Sequence, residues 1–186
     1  MSAGVGAGRS VDLSGRASEV AIRLCREEDL SRLEWSGAFE HHREIIREAF
    51  RLQNQGQTVM LVAAMDDFPV GQAWLDLRPR PGAHGPKVWA VRVIASLQGR
   101  GIGGRLMARI EEAAQQLGYR RLELGVEKHN EAARKFYERL GWFVTGERRD
   151  SYGYTTPSGE RVVLPLDEWV LVKNLDQNGA ARPTRA

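Results

Sequence analysis

Gln98-Gly99-Arg100-Gly101-Ile102-Gly103-Gly104 stands between an apolar run at residues 88–95 and an amphipathic stretch at 101–117. The run predicts a strand. The stretch predicts a helix with apolar positions Ile102, Leu106, Ile110, Ala113 and Leu117 and a stop at Gly118. A glycine-dense turn entering a helix leaves backbone N–H groups unpaired, and the helix dipole makes the same spot electropositive. Such a turn is a ready seat for a pyrophosphate.

Two ligands compete for that seat. Gly99-Arg100-Gly101-Ile102-Gly103-Gly104 satisfies G-x-G-x-x-G, the dinucleotide fingerprint, with Glu123 about 20 residues on. In that fingerprint the first glycine ends the strand directly, whereas Ala95-Ser96-Leu97-Gln98 intervene here. Glu123 also falls inside the next apolar run (Leu122, Leu124, Val126), not at its end where a ribose would be reached. The other pattern is Gln98-x-x-Gly101-x-Gly103. It resembles the acyl-CoA loop of the GNAT family of N-acetyltransferases.

A second motif decides between them. Asn130-Glu131-Ala132-Ala133-Arg134-Lys135-Phe136-Tyr137-Glu138-Arg139-Leu140-Gly141-Trp142 follows a short predicted strand at 121–126. It resembles the GNAT helix that begins at Asn, carries Ala three and Tyr seven residues on, and ends Leu-Gly-aromatic. Asn130 suits an N-cap and Gly141 a C-terminal stop. Seven residues turn through about 700°, so Asn130 and Tyr137 share a face about 10 Å apart. An amide and a phenol placed so can both reach one extended ligand.

Composition suits a single globular domain: 186 residues, 42% of them hydrophobic. No apolar run approaches a membrane span, and residues 1–18 lack the apolar core of a signal peptide. Cys25 is the single cysteine, which excludes an internal disulfide, and no Cys/His spacing suggests zinc. These features point to the cytoplasm. The net charge of +3, without a clustered basic run, gives no sign of a nucleic-acid partner.

Along the chain, residues 1–19 and 175–186 read as disordered ends around a domain at 20–174. Residues 21–24 read as a strand, and 27–35 and 38–55 as helices. The second helix carries an apolar stripe of Phe39, Ile45, Ile46, Ala49, Phe50 and Leu52. Strands are predicted at 58–65 and 70–77 about a turn, Asp66-Asp67-Phe68-Pro69, with a proline-rich loop at 78–86. The last strands are predicted at 142–149 and 168–173, with Thr155-Thr156-Pro157-Ser158-Gly159 punctuating the stretch between.

The order β-α-α-β-β-β-α-β-α-β-β is the GNAT order, and the resemblance covers about residues 20 to 173. It implies an α/β (α+β) fold with a central mixed, mostly antiparallel seven-stranded sheet, helices on both faces and strands 4 and 5 splayed apart. It implies acetyl transfer from acetyl-CoA to a primary amine, with no metal. The pantetheine arm lies between the splayed strands against exposed backbone at Val91 and Val93, with the Val91 N–H facing the thioester carbonyl. Backbone from Gln98 through Gly99, Arg100, Gly101, Ile102, Gly103 and Gly104 holds the pyrophosphate, and Arg100 and Arg105 are placed to reach the adenosine phosphates. By the same resemblance, Asn130 is expected to contact the cofactor as well as cap its helix, and Tyr137 to be the general acid. A tyrosine is protonated at neutral pH and can donate to a leaving thiolate.

The general base is left open among Glu40, His41, His42, Asp76, His84 and a water chain. Ser151-Tyr152-Gly153-Tyr154 with Trp169 is either a wall of the acceptor pocket or ordinary hairpin packing. The ribosomal-protein N-terminal acetyltransferases carry Glu five residues before the Asn, where this chain has Gly125. The expected acceptor is therefore a small-molecule amine, ahead of a protein N-terminus or lysine. A non-catalytic acyl-CoA-binding module is the reading of another class. The partners expected are that amine, no nucleic acid and no membrane, with a homodimer left open.

Overall fold

The computed structural model describes residues 19–37, 39–156 and 158–175. The expected tails at 1–19 and 175–186 lie almost wholly outside this range, and so does Ala38, the expected start of the second helix. The described body ends on Leu175, which is buried in the core.

Seven strands form one sheet: β1 (Ala21–Leu24), β2 (Thr58–Met65), β3 (Phe68–Asp76), β4 (Lys87–Val93), β5 (Arg121–Glu127), β6 (Phe143–Thr155) and β7 (Arg161–Asn174). Their order is β1-β2-β3-β4-β5-β7-β6. Every neighbouring pair is antiparallel except β4 and β5. Three helices pack on it: α1 (Arg43–Asn54), α2 (Ile102–Gln116) and α3 (Glu131–Arg139). This is the mixed, mostly antiparallel sheet that the sequence predicts. Among the described residues, no helix is long and apolar enough to cross a membrane.

Period-2 alternation divides the core. Met60 and Val62 of β2 and Trp74 of β3 face α1, joining Ile46, Ala49, Cys25 and Leu33. Leu61 and Ala63 of β2 and Val70 and Leu75 of β3 face the other side, where they meet Leu106, Met107 and Ile110 of α2 and Tyr137 of α3. Leu106 and Ile110 are fully buried, and each such side chain contributes about 1.5–3 kcal/mol.

Several boundaries differ from expectation. Residues 27–35 form two short 3-10 turns, Glu27–Asp29 and Arg32–Glu34, instead of a helix. The Asp29 carboxylate holds the first by accepting from the Arg26 N–H (2.8 Å) and the Arg23 guanidinium (2.6 and 2.9 Å). Trp35, Ser36 and Gly37 then all take positive φ, which ends any helix. A third 3-10 turn, Glu40–His42, precedes α1. The β2–β3 turn contracts to Asp66 and Asp67, both left-handed, with Phe68 and Pro69 already in the strand. The last two strands run well beyond the expected 142–149 and 168–173: β6 and β7 have 13 and 14 residues and stay paired as one hairpin from Phe143↔Val172 to Thr155↔Arg161. Pro165 is tolerated because β5 pairs with β7 only as far as Glu168, so the missing N–H breaks no inner ladder bond.

Candidate active site

Strands β4 and β5 part almost as soon as they meet. They pair at Lys87↔Glu123 and Val88↔Leu124 and no further. Two residues on in β4 comes Ala90, a non-glycine residue at φ 52. The register with β3 slips between Trp74↔Trp89 and Gln72↔Arg92, so two residues of β4, Ala90 and Val91, oppose one of β3, Ala73. A bulge bends its strand, and here it bends β4 away from β5. The Ile94 N–H donates to the Val70 carbonyl (2.9 Å), pointing at β3. Alternation therefore turns the peptide groups of Val93 and Val91 toward the gap. The Val93 carbonyl is taken by the Gln98 side-chain amide (3.0 Å). Gln98 thus buckles the glycine turn onto the strand end.

In that turn Gly99 and Gly101 sit at φ 75 and 80, a region closed to most side chains. Gly101 is the N-cap of α2 and no side chain caps it. The N–H groups of Ile102, Gly103 and Gly104 precede the first intrahelical bond, Arg105 N–H to Gly101 carbonyl (3.1 Å), and point out of the helix end. Ile102 buries its side chain and offers only backbone. A Cβ on Gly103 would lie 3.3 Å from Phe136 Cζ, so this glycine lets α2 close on α3. A Cβ on Gly104 would meet nothing within 4 Å. Arg100 is exposed at the turn. Arg105 is engaged elsewhere, donating to the Val20 carbonyl at 2.7 Å.

Helix α3 brings up the other wall. Asn130 Oδ1 accepts from the Ala133 N–H (3.0 Å), the capping role expected of it, and its NH2 remains to donate. The Leu-Gly-Trp ending closes the helix: Trp142 N–H bonds the Tyr137 carbonyl (3.1 Å), Gly141 N–H bonds the Glu138 carbonyl (3.0 Å), and the Trp142 ring packs on the Tyr137 ring at 6.2 Å. Tyr137 is held at backbone and ring together. Burial pushes its pKa up to about 12. Among the described residues, no group hydrogen-bonds its hydroxyl. Val91, Val93, Gln98, Gly99, Gly101 to Gly104, Asn130 and Tyr137 all line one cleft of about 1020 Å³. That is the capacity of a cofactor site. Peptide edges in the gap, free N–H groups at the turn and open space over Gly104 fit an extended pantetheine and a pyrophosphate.

The same cleft continues to Trp35, Ser36, Phe39 and Arg92. Arg92 alternates to the face opposite Val91 and Val93, with its guanidinium 4.4 Å from the Phe39 ring centroid. Behind Phe39 lie stacked rings: His42 at 5.5 Å, His41 on His42 at 4.0 Å, Tyr152 on His42 at 5.6 Å and Tyr154 on His41 at 4.9 Å. The structure thus joins the histidine pair to the tyrosines of the β6–β7 hairpin. Burial, Arg92 and His41 pull the His42 pKa down to about 4, so His42 is neutral at pH 7 and weakly basic. Trp169 separates from this group: it opposes Glu147 on β6 and takes Lys128 over its ring at 5.0 Å. Glu40 is exposed and paired with Arg43. Asp76 lies at the far end of β3, held by Arg78, and His84 lies in a separate hollow. Arg92 went unnoticed in the sequence, though it is the one charge in the run at 88–95.

That hollow, about 270 Å³, is built around buried Glu123. Burial raises the Glu123 pKa, but the His84 N–H (3.0 Å), Arg148 (2.9 Å) and Arg80 (3.2 Å) outweigh it, and the net shift is downward. Arg148 also bonds Glu168 at 3.0 Å. Among the described residues, no group of three or more His, Cys, Asp and Glu side chains could hold a metal ion.

Known proteins resemble this chain in sequence and fold. The profile of the acetyltransferase (GNAT) family matches residues 23–142. A mycothiol acetyltransferase of Brachybacterium faecium is 37% identical over 89 residues, 47% of this chain and 27% of that protein. The uncharacterized N-acetyltransferase YycN of Bacillus subtilis is 30% identical over 76 residues, 41% of this chain and 49% of that protein. The chain thus matches 27% and 49% of the length of these two curated relatives. The structure of YncA, a putative acetyltransferase from Salmonella typhimurium, solved with acetyl-CoA, superposes with a TM-score of 0.65 at 20% identity, covering 89% of this chain and 99% of that one. A ribosomal-protein-alanine N-acetyltransferase from Brucella melitensis gives a TM-score of 0.65 at 24% identity, covering 83% and 99%.

Proposed function

This chain belongs to the acetyltransferase (GNAT) family, and on that premise we propose that it transfers an acetyl group from acetyl-CoA to a primary amine of a small molecule. The carrying observation is one continuous cleft in which the peptide edge of Val91 and Val93, the uncapped start of α2 and the Tyr137 hydroxyl meet. A binding module has use for the first two. It has no use for a phenol held at both ring and backbone beside them.

Acetyl-CoA supplies an activated thioester. In this reading the Val91 N–H donates to the carbonyl oxygen as charge gathers there, a contact that strengthens in the transition state. The N–H groups of Ile102 to Gly104 hold the pyrophosphate, and the Asn130 amide donates to the pantetheine arm. Tyr137 faces the departing sulfur. With its pKa at about 12 the phenol is an acid about 3.5 units weaker than a free thiol, which puts full proton transfer about 5 kcal/mol uphill. Tyr137 therefore acts by donating a hydrogen bond to the developing thiolate. His42, with a pKa of about 4, is too weak a base to take a proton from an ammonium group of pKa near 10.

Preference for a small molecule rests on Gly125 and on the rings of Trp35 and Phe39, which line the acceptor end of the cleft and are backed by His42 and Tyr152. Differential scanning fluorimetry tests the cofactor. Acetyl-CoA at about 100 times its dissociation constant adds about 2.7 kcal/mol of stability, and NADH adds none. A shift with NADH and none with acetyl-CoA would overturn the reading. An amine panel scored by release of free thiol then tests the acceptor class.

A further inference from the structure

Among the described residues, half-buried arginines carry carboxylates, with one exception. Arg23 pairs with Asp29, Arg80 with Glu123, Arg134 with Glu138, and Arg148 with Glu123 and Glu168. Arg92 is half-buried too, yet among the described residues no carboxylate or carbonyl accepts from its guanidinium. Its guanidinium lies 4.4 Å from the centroid of the Phe39 ring. The carboxylates that flank Phe39 in the chain are committed: Glu34 and Glu40 are both bonded to Arg43.

Taking a guanidinium partly out of water is costly unless an anion meets it. Burial draws the Arg92 pKa down, with only Tyr152 acting against it. The side chain lines the reaction cleft, on the face away from the cofactor edge and one residue from Val91. It is thus placed to touch the acceptor and not the pyrophosphate.

We propose that Arg92 is a specificity residue that binds a carboxylate on the acceptor, so that the substrate is an amine carrying a carboxylate in the same small molecule. A guanidinium fork matches one carboxylate with two parallel N–H···O bonds. The Phe39 face orients the fork from behind, and the rings of His42 and Tyr152 keep bulk water from one side of it. Neighbouring positions on β4 then set the reacting amine near Val91 and its carboxylate one arginine side chain away. This assignment rests on the acetyltransferase reading.

The test uses matched amines: amino acids against their carboxamides, offered to the wild-type protein and to Arg92→Gln. Binding is followed by calorimetry on the CoA-bound protein, and turnover by thiol release. The wild type favours the carboxylate member about 10- to 100-fold, the scale of a charged hydrogen-bonded pair. In Arg92→Gln the ratio of the two kcat/KM values, and of the two affinities, falls to near one. A wild type that does not separate the pair overturns the proposal. So does a variant that keeps the ratio, because Arg92 is then only an aromatic contact. Calorimetry reads carboxylate preference without turnover, and thermal shift reads acetyl-CoA binding without an acceptor. Failure of the acetyltransferase reading and failure of the Arg92 assignment therefore give different results.

Discussion

The Glu168 carboxylate occupies the space of the side chain that Gly125 lacks: a Cβ on residue 125 would lie 2.4 Å from Glu168 Oε2 and 2.6 Å from Oε1. The carboxylate is not free to swing aside, because Arg148 holds it at 3.0 Å and links it to Glu123. A residue of β7 thus fills the position where some relatives of this fold carry a glutamate on β5.

Gly125→Ala is expected to destabilise the protein by about 1–3 kcal/mol, the usual cost of overpacking a filled site. The loss comes from Glu168 and Arg148 being pushed apart. Urea unfolding of Gly125→Ala alone and combined with Glu168→Gln checks this. The double variant should cost less than the sum of the two single ones, since both act on one contact.

Gly104→Glu separates folding from binding by sign. Its Cβ enters open space. A helix former replacing glycine adds about 0.5–1 kcal/mol, and a carboxylate in the first turn suits the dipole. The variant should melt slightly higher than wild type yet bind CoA at least about 10-fold more weakly, because the carboxylate faces the pyrophosphate. Unchanged affinity by calorimetry would place the phosphates elsewhere.

Tyr137→Phe keeps the ring that packs on Trp142 and removes a hydroxyl with no partner in the described protein. Stability should stay within about 0.5 kcal/mol, and CoA affinity should hold. The turnover number should fall roughly 10²-fold. Rate measurements on the wild type add a check: with the phenol pKa at about 12, its ionisation leaves no inflection below pH 10.

His42 should make the protein acid-sensitive. Its pKa falls from 6.5 to about 4 on folding, so the unfolded chain takes up the proton first. Stability is full above pH 6.5 and declines as the pH drops toward 4, by about 3 kcal/mol at the limit. The lowered pKa values of Asp29, Asp76 and Glu123 add losses at lower pH still. In a pH series of thermal melts, His42→Phe should flatten the slope between pH 6.5 and 4 and leave the more acidic limb in place.

The sequence is legible where a local rule and the fold agree. The strand, glycine turn and α2 follow from periodicity and unpaired N–H groups, and α3 from an Asn cap and a Leu-Gly-Trp stop. It is opaque where distant contacts decide. Asp29 held by Arg23 replaces the helix expected at 27–35 with 3-10 turns. Cross-strand pairing carries β6 and β7 past the strand ends expected at 149 and 168, through Gly153 and Pro165. The ring cluster behind Phe39 needs His42 and Tyr152 together, 110 positions apart in the chain. Asp76 and His84 drop out of the site only once β3 and β4 are in register.

The bulge at Ala90 has a consequence for how this family can be followed through time. If peptide groups at Val91 and Val93 do the cofactor's recognition, isoleucine, leucine or threonine there would do it equally well, and descent is free to rewrite both letters. What is inherited is the curve of a ribbon. Ordinary mutagenesis at either valine would then report on packing alone. Exchange of the single amide at residue 91 for an ester, by chemical ligation, is the alteration that reaches the contact itself.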